Sequence, residues 1–258
     1  FGFEVFQTAT RGTILGLIGG ILLALFLYAV LGRNEPKRNR RISAAAIVLI
    51  FVIIGIFWAN RGSAFVQKSE VLNRMASISW SGAQGQARNY IWPMAIKGFT
   101  ERPVFGWGQE NFNYIFNANY NPKMWNQEQW FDRAHSVFID WLSASGILGL
   151  LSYLALYVLF LVMVWKSSLT LGEKSILSGA LAGYAVHNIF VFDNIASYIL
   201  FFAALGFANS LREGEPVRFL GEKPLSAEGV SYIALPALAI ALIAVIYVFN
   251  VRPIQANT

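Results

Sequence analysis

Six stretches of this chain are nearly free of charge and long enough, or almost long enough, to cross a lipid bilayer. They are Gly12 to Leu31, Ile42 to Ala59, Gly146 to Trp165, Ser175 to Phe192, Ile195 to Ser210 and Ser231 to Asn250. A helix crosses the hydrocarbon with about 20 apolar residues, and about 17 suffice. Backbone in lipid must bond to itself, so such runs fold as helices. The expected fold is therefore an all-α polytopic membrane protein with about six transmembrane helices. Composition agrees: 13% of residues are charged, against roughly 25% in a soluble domain. The pair from Ser175 to Ser210 carries His187, Asn188, Asp193 and Asn194, and reads either as a tight helical hairpin or as a re-entrant pair. The chain opens at Phe1 with no basic, apolar leader, as expected of a fragment lacking its true N-terminus.

The net charge of +6 could suggest a nucleic-acid partner, but its distribution points to a membrane. Arg33, Lys37, Arg38, Arg40 and Arg41 crowd one short loop, Lys166 and Lys174 a second, and Arg212, Arg218 and Lys223 a third. Only Arg11 and Arg252 lie near the short segments opposite. Short cytoplasmic loops gather Lys and Arg, so these three loops belong inside. Alternation then places residues 61–134 outside as one long loop, together with both ends of the chain. The expected organisation is a membrane domain over 1–210, a cytoplasmic linker over 211–230, and a last helix with an external tail over 231–258.

A loop as long as 61–134 should contain short helices and a function. Gln86 to Phe99 reads as an amphipathic helix with Tyr90, Ile91, Met94, Ala95 and Gly98 on one side and Arg88, Trp92 and Phe99 on another. Glu101-Arg102-Pro103 should end it, because the residue before a proline avoids helical geometry. Gly106 and Gly108 then offer two positions that tolerate positive φ. Trp80, Trp92, Trp107, Trp125 and Trp130 are either an interfacial belt or a surface for stacking sugars or gripping lipid.

Three ionisable residues stand out. Arg11, at the outer end of the first span, either snorkels to headgroup phosphates or binds phosphate in a membrane-level cavity. Arg88 and Trp92, four apart, share a helix face, where the arginine can pack on the indole. His135 sits where the loop re-enters the membrane; near a helix start its neutral form is favoured, which suits a general base. His187, Asn188 and Asp193 fit a cap for the hairpin or contacts to polar substrate atoms. With no cysteine and only two distant histidines, no metal set is legible. No phosphate loop or cofactor motif is present either.

These residues resemble the O-antigen ligase and polymerase superfamily. The landmarks are Thr8-Ala9-Thr10-Arg11-Gly12, Arg88 with Trp92, Pro103-Val104-Phe105-Gly106-Trp107-Gly108 followed by Asn111-Phe112, and Ala134-His135-Ser136 followed by Gly146-Ile147-Leu148-Gly149-Leu150. They run in the family's order over roughly Thr8 to Ser210, its C-terminal half. Thr10 and Ser136 depart from the family's more frequent serine and asparagine.

The resemblance implies metal-independent transfer of a glycan from a polyprenyl-diphosphate carrier to an acceptor glycan or lipid, on the outer face of a bacterial inner membrane. It implies catalytic roles for Arg11, Arg88 and His135, with Asp132 or Asp140 as an alternative base. Trp92, Trp107, Asp132 and His187 are expected to contact substrate. Ligase and polymerase are not separated by these residues. A transporter that binds an anionic lipid without chemistry is the rival, for which a broken helix at Gly16-Leu17-Ile18-Gly19-Gly20 would speak. A non-catalytic scaffold, with the three residues apart, is another.

Overall fold

The computed structural model describes residues 11–77, 87–125, 130–211, 232 and 235–247. All of its regular structure there is helical. Three helices have the length and apolar composition to cross a membrane: α1 (Arg11–Leu31), α2 (Lys37–Ala59) and α7 (Val137–Lys166). Between α2 and α7 lie the short helices α3 (Ala64–Lys68), α4 (Glu70–Ala76), α5 (Arg88–Glu101) and α6 (Phe112–Ala118). α8 (Leu171–Asn188) and α9 (Ile195–Ser210) follow α7, and α10 (Leu235–Ile246) belongs to a separate compact unit. Ser175 to Ser210 thus holds two helices joined by a turn at residues 189–194. Capping boxes at Thr170 with Glu173 and at Asn194 with Ser197 fix where α8 and α9 begin.

The Gly16–Gly20 stretch is not a break. It lies inside the continuous α1, and two of its three glycines face those of α8: a Cβ on Gly16 would come within 2.5 Å of the Gly183 carbonyl oxygen, and one on Gly20 within 2.5 Å of that of Gly179. Gly16 and Gly20 are four apart, as are Gly179 and Gly183, so the two helices run antiparallel with their backbones touching. Lipid supplies no hydrophobic drive between helices, and small residues at this spacing allow the close packing that replaces it. The hint of a broken helix falls, because its glycines serve a seam.

The segment between α2 and α7 builds a core of its own. Ile91, Met94, Ala95 and Gly98 bury one side of α5 against Phe112, Ile115 and Phe116 of α6, and Met124, Phe131 and Ala134 close it. Each large side chain fully buried there contributes roughly 1.5–3 kcal/mol. A Cβ on Gly98 would meet Ile115 at 2.6 Å, so this position sets the spacing of the two helices.

A true break lies at Gly146, inside α7, with φ 65° and ψ −165°. The loop after α5 fills it. The N–H groups of Trp107 and Gly108 donate to the Ser143 and Ala144 carbonyls at 3.0 and 2.8 Å, and the Ile147 N–H donates to the Pro103 carbonyl at 2.8 Å. Backbone groups freed by the break are thus satisfied by the loop, as burial demands. Gly106 and Gly108 take φ of 67° and 92°, and a Cβ on Gly146 would strike the Val104 carbonyl oxygen at 2.3 Å.

Candidate functional site

The turn from Phe131 to Ser136 leads into α7 and is held from both sides. The Ala134 N–H donates to Asp140 Oδ1 at 2.6 Å, and the Ala134 carbonyl accepts from Trp92 Nε1 at 3.0 Å. Ser136 is the N-cap residue of α7 by position, without a side-chain cap bond. Asp140, four residues into the helix, reaches back instead, and its Oδ2 is buried with no hydrogen-bond partner in the structure.

His135 follows with φ of 56°, a conformation uncommon outside glycine and one that persists only where the surroundings enforce it. Its ring lies edge-on between Phe131, with centroids 5.5 Å apart, and Phe192, at 5.3 Å. Nδ1 lies 3.2 Å from the Arg133 carbonyl. A carbonyl oxygen only accepts, so the bond requires the proton on Nδ1. The neutral ring then carries its lone pair on Nε2, the atom that can take a proton.

The turn after α8 gathers the other residues. Arg88 donates from one guanidinium nitrogen to the Phe190 carbonyl at 2.9 Å and lies 5.8 Å from the centre of the Phe190 ring. The Arg88 and Trp92 side chains therefore have separate partners, Phe190 and the Ala134 carbonyl. The Val137 N–H donates to the Val191 carbonyl at 3.0 Å, docking the start of α7 on the same turn. Gly12 lies against Phe190, so the start of α1, which carries Arg11, meets it too; the Arg11 side chain lies outside the described residues. Residues 190–192 thus join three regions: Gly12 beside Arg11, Arg88, and His135.

His187 of α8 pairs its Nδ1 with Thr13 Oγ1 at 3.0 Å, tying α8 to α1 two residues past Arg11. Asn188 and Asp193 turn inward. Asp193 accepts from Tyr153 at 2.8 Å, Ser197 at 2.8 Å and Tyr184, while Asn188 Nδ2 donates to Tyr153 and Tyr157 at 3.2 Å each. A buried carboxylate is tolerated when hydroxyl donors surround it. This network links α7, α8 and α9 and fixes both ends of the 189–194 turn. The hairpin-cap alternative describes Asn188 and Asp193. Sequence reading passed over the tyrosines, although Tyr153 and Tyr157 at i, i+4 inside an apolar run were a readable signal.

Trp107 donates Nε1 to the Gly98 carbonyl at 2.8 Å, beneath the Arg102 guanidinium at 4.1 Å. Like that of Trp92, its indole N–H is committed to backbone. Trp125 and Trp130 are the outward ones, 72% and 59% exposed; Trp80 lies outside the described residues. Asp132 lines a crevice with Trp107, Gln109, Arg133 and Asp140, where Arg133 pairs with Glu110. Among the described residues no group of three or more His, Asp and Glu is placed to hold a metal ion.

Residues 2–154 match the family model described as O-antigen ligase. A comparison with curated proteins finds no match. The matched span contains Arg11, Arg88 and His135 and ends before the 189–194 turn that Gly12, Arg88 and His135 touch.

Proposed function

The chain belongs to the O-antigen ligase family, and from that premise we propose that it transfers a glycan from a polyprenyl-diphosphate carrier to a hydroxyl of an acceptor glycan or lipid. The transfer takes place on the outer face of a bacterial inner membrane. The observation that carries this reading is the shared support at Phe190 to Phe192, which holds the Arg88 guanidinium and the His135 ring beside the start of α1.

The acceptor oxygen forms a bond to the anomeric carbon while the bond from that carbon to the phosphate oxygen breaks. The electron pair leaves on the diphosphate, and the hydroxyl proton passes to Nε2 of His135. Charge gathers on the leaving diphosphate, where the guanidinium groups of Arg88 and Arg11 bind oxygens in a planar fork that lysine does not reproduce. One such preplaced donor lowers a barrier by about 3–4 kcal/mol. The basic short loops put the α2–α7 segment on the outer side, where the carrier presents its glycan.

The test is transfer by the full-length parent in membranes, from a polyprenyl-diphosphate glycan to candidate acceptors. His135→Ala and Arg88→Ala are each expected to cost about a hundredfold or more, and Arg88→Lys to recover only part of its loss. Full transfer by both variants would overturn the residue roles. Absence of transfer by the native protein with lipid binding intact would favour a transporter, and transfer only onto a second lipid-linked glycan would make it a polymerase.

A further inference from the structure

The side of α5 turned away from Arg88 borders an open groove of about 410 Å³, walled by Tyr90, Pro93 and Lys97 and by the stretch Asn119-Tyr120-Asn121 that leaves α6. Pro93 and Lys97 lie about 140° and 180° around the helix from Arg88, so groove and reacting residues are separated by one helix thickness, about 10 Å. Small-ligand sites enclose roughly 300–1,000 Å³, which makes the groove large enough for a sugar ring.

Its lining is prearranged. Asn119 spends its Nδ2 on the Ile115 carbonyl at 3.0 Å, which turns its Oδ1 into a fixed acceptor. Asn121 accepts the Lys123 N–H on Oδ1 at 3.0 Å, which turns its Nδ2 into a fixed donor. Between them Tyr120 is 39% exposed, with its ring held edge-on against Phe116 at 5.7 Å. Among the described residues Lys97 is the single charge on the walls, and no carboxylate lines them.

A sugar ring has an apolar C–H face and a rim of hydroxyls that both donate and accept. An aromatic platform between one fixed acceptor and one fixed donor matches both. A purely apolar ligand would strip the amides of water with nothing in return, and one lysine is too little for a phosphate cluster. We propose that this groove is a glycan-binding subsite that grips sugar rings remote from the bond being made. That the gripped glycan is the one being transferred rests on the transferase reading; the sugar chemistry of the groove does not.

The test uses the full-length protein in lipid nanodiscs with carrier-free maltohexaose and hexagalacturonate, read by saturation transfer to the sugar protons. The native protein is expected to bind at least one of them at about millimolar strength, and Tyr120→Ala to weaken it about tenfold, as for a single lost contact of that size. Asn121→Asp keeps the cap to Lys123 but replaces the donor with a negative charge, so it should weaken binding of the neutral maltohexaose as well as of the galacturonate, while Tyr120→Phe and His135→Ala should bind as the native protein does. Unchanged thermal unfolding of the Tyr120 and Asn121 variants shows that the fold is intact. In transfer assays Tyr120→Ala should raise KM about tenfold for a long glycan donor, leaving kcat and the KM for a single-sugar donor unchanged. No binding of either sugar by the native protein, or equal binding by Tyr120→Ala, overturns the subsite. Sugar binding that depends on Tyr120 without any transfer would uphold it and overturn the transferase reading instead.

Discussion

The α1–α8 seam and the core beneath α5 both support the turn at residues 190–192, and they do so by opposite means. In the seam, glycines let two backbones touch, and the small side chain of Ala24 and the Thr13–His187 pair fill in around them. Beneath α5, large side chains such as Ile91, Ile115 and Phe116 are removed from water. The difference follows from the surroundings. Water rewards burial of apolar area, whereas lipid is as apolar as the helix and rewards only close fit. The seam therefore fails when an atom is added, and the core when atoms are removed.

The largest effect should come from the core. Phe116→Ala should cost about 3–5 kcal/mol, read as lost hydrogen-exchange protection over α5 and α6 with α1 and α8 unaffected; equal loss in both regions would end the distinction. In the seam, Gly20→Ala should cost about 1–3 kcal/mol by overpacking, measured as thermal unfolding in nanodiscs. Its neighbour gives the contrast: a Cβ on Gly19 meets nothing within 4 Å, so Gly19→Ala should stabilise by about 0.5–1 kcal/mol through helix propensity alone. The smallest change is expected at Leu49 of α2, 59% exposed, where truncation to Ala trades leucine for lipid and should shift unfolding by under about 0.5 kcal/mol. A larger loss there would reveal another helix packed on that face.

The same contrast explains what was legible in the sequence. Apolar periodicity is local, so three membrane-length helices, the buried face of α5 and its end near Pro103 are legible directly, and Gly106 and Gly108 take the positive φ their residue type permits. Gly16 and Gly20 offer in sequence only a hint toward a broken helix, because their meaning lies in Gly179 and Gly183, some 160 residues on. The repeated four-residue spacing was the available clue. Arg88 and Trp92 do share a helix, but which group each would meet depends on segments distant in sequence, Phe190 for one and Ala134 for the other. The turn that unites the proposed site was invisible for the same reason: residues 190–192 bear no functional group of note, and their importance is positional.

The break at Gly146 also acts as a ruler. An unbroken helix from Val137 to Lys166 would be about 45 Å long, half as long again as the ~30 Å hydrocarbon layer. From Ile147 to Lys166 the length is roughly 30 Å, one bilayer core. If this lower limb is the part immersed, the membrane surface passes close to Gly146, where the exposed Val104 and Phe105 of the seated loop can rest in the headgroups. The upper limb folds back along the lower one, with Phe138 beside Tyr157 at 6.3 Å and Trp141 stacked on Tyr153 at 5.3 Å, so His135 is carried from that surface back toward the hydrocarbon. A carrier embedded in the bilayer would then present its diphosphate to the site from the side, without leaving the membrane.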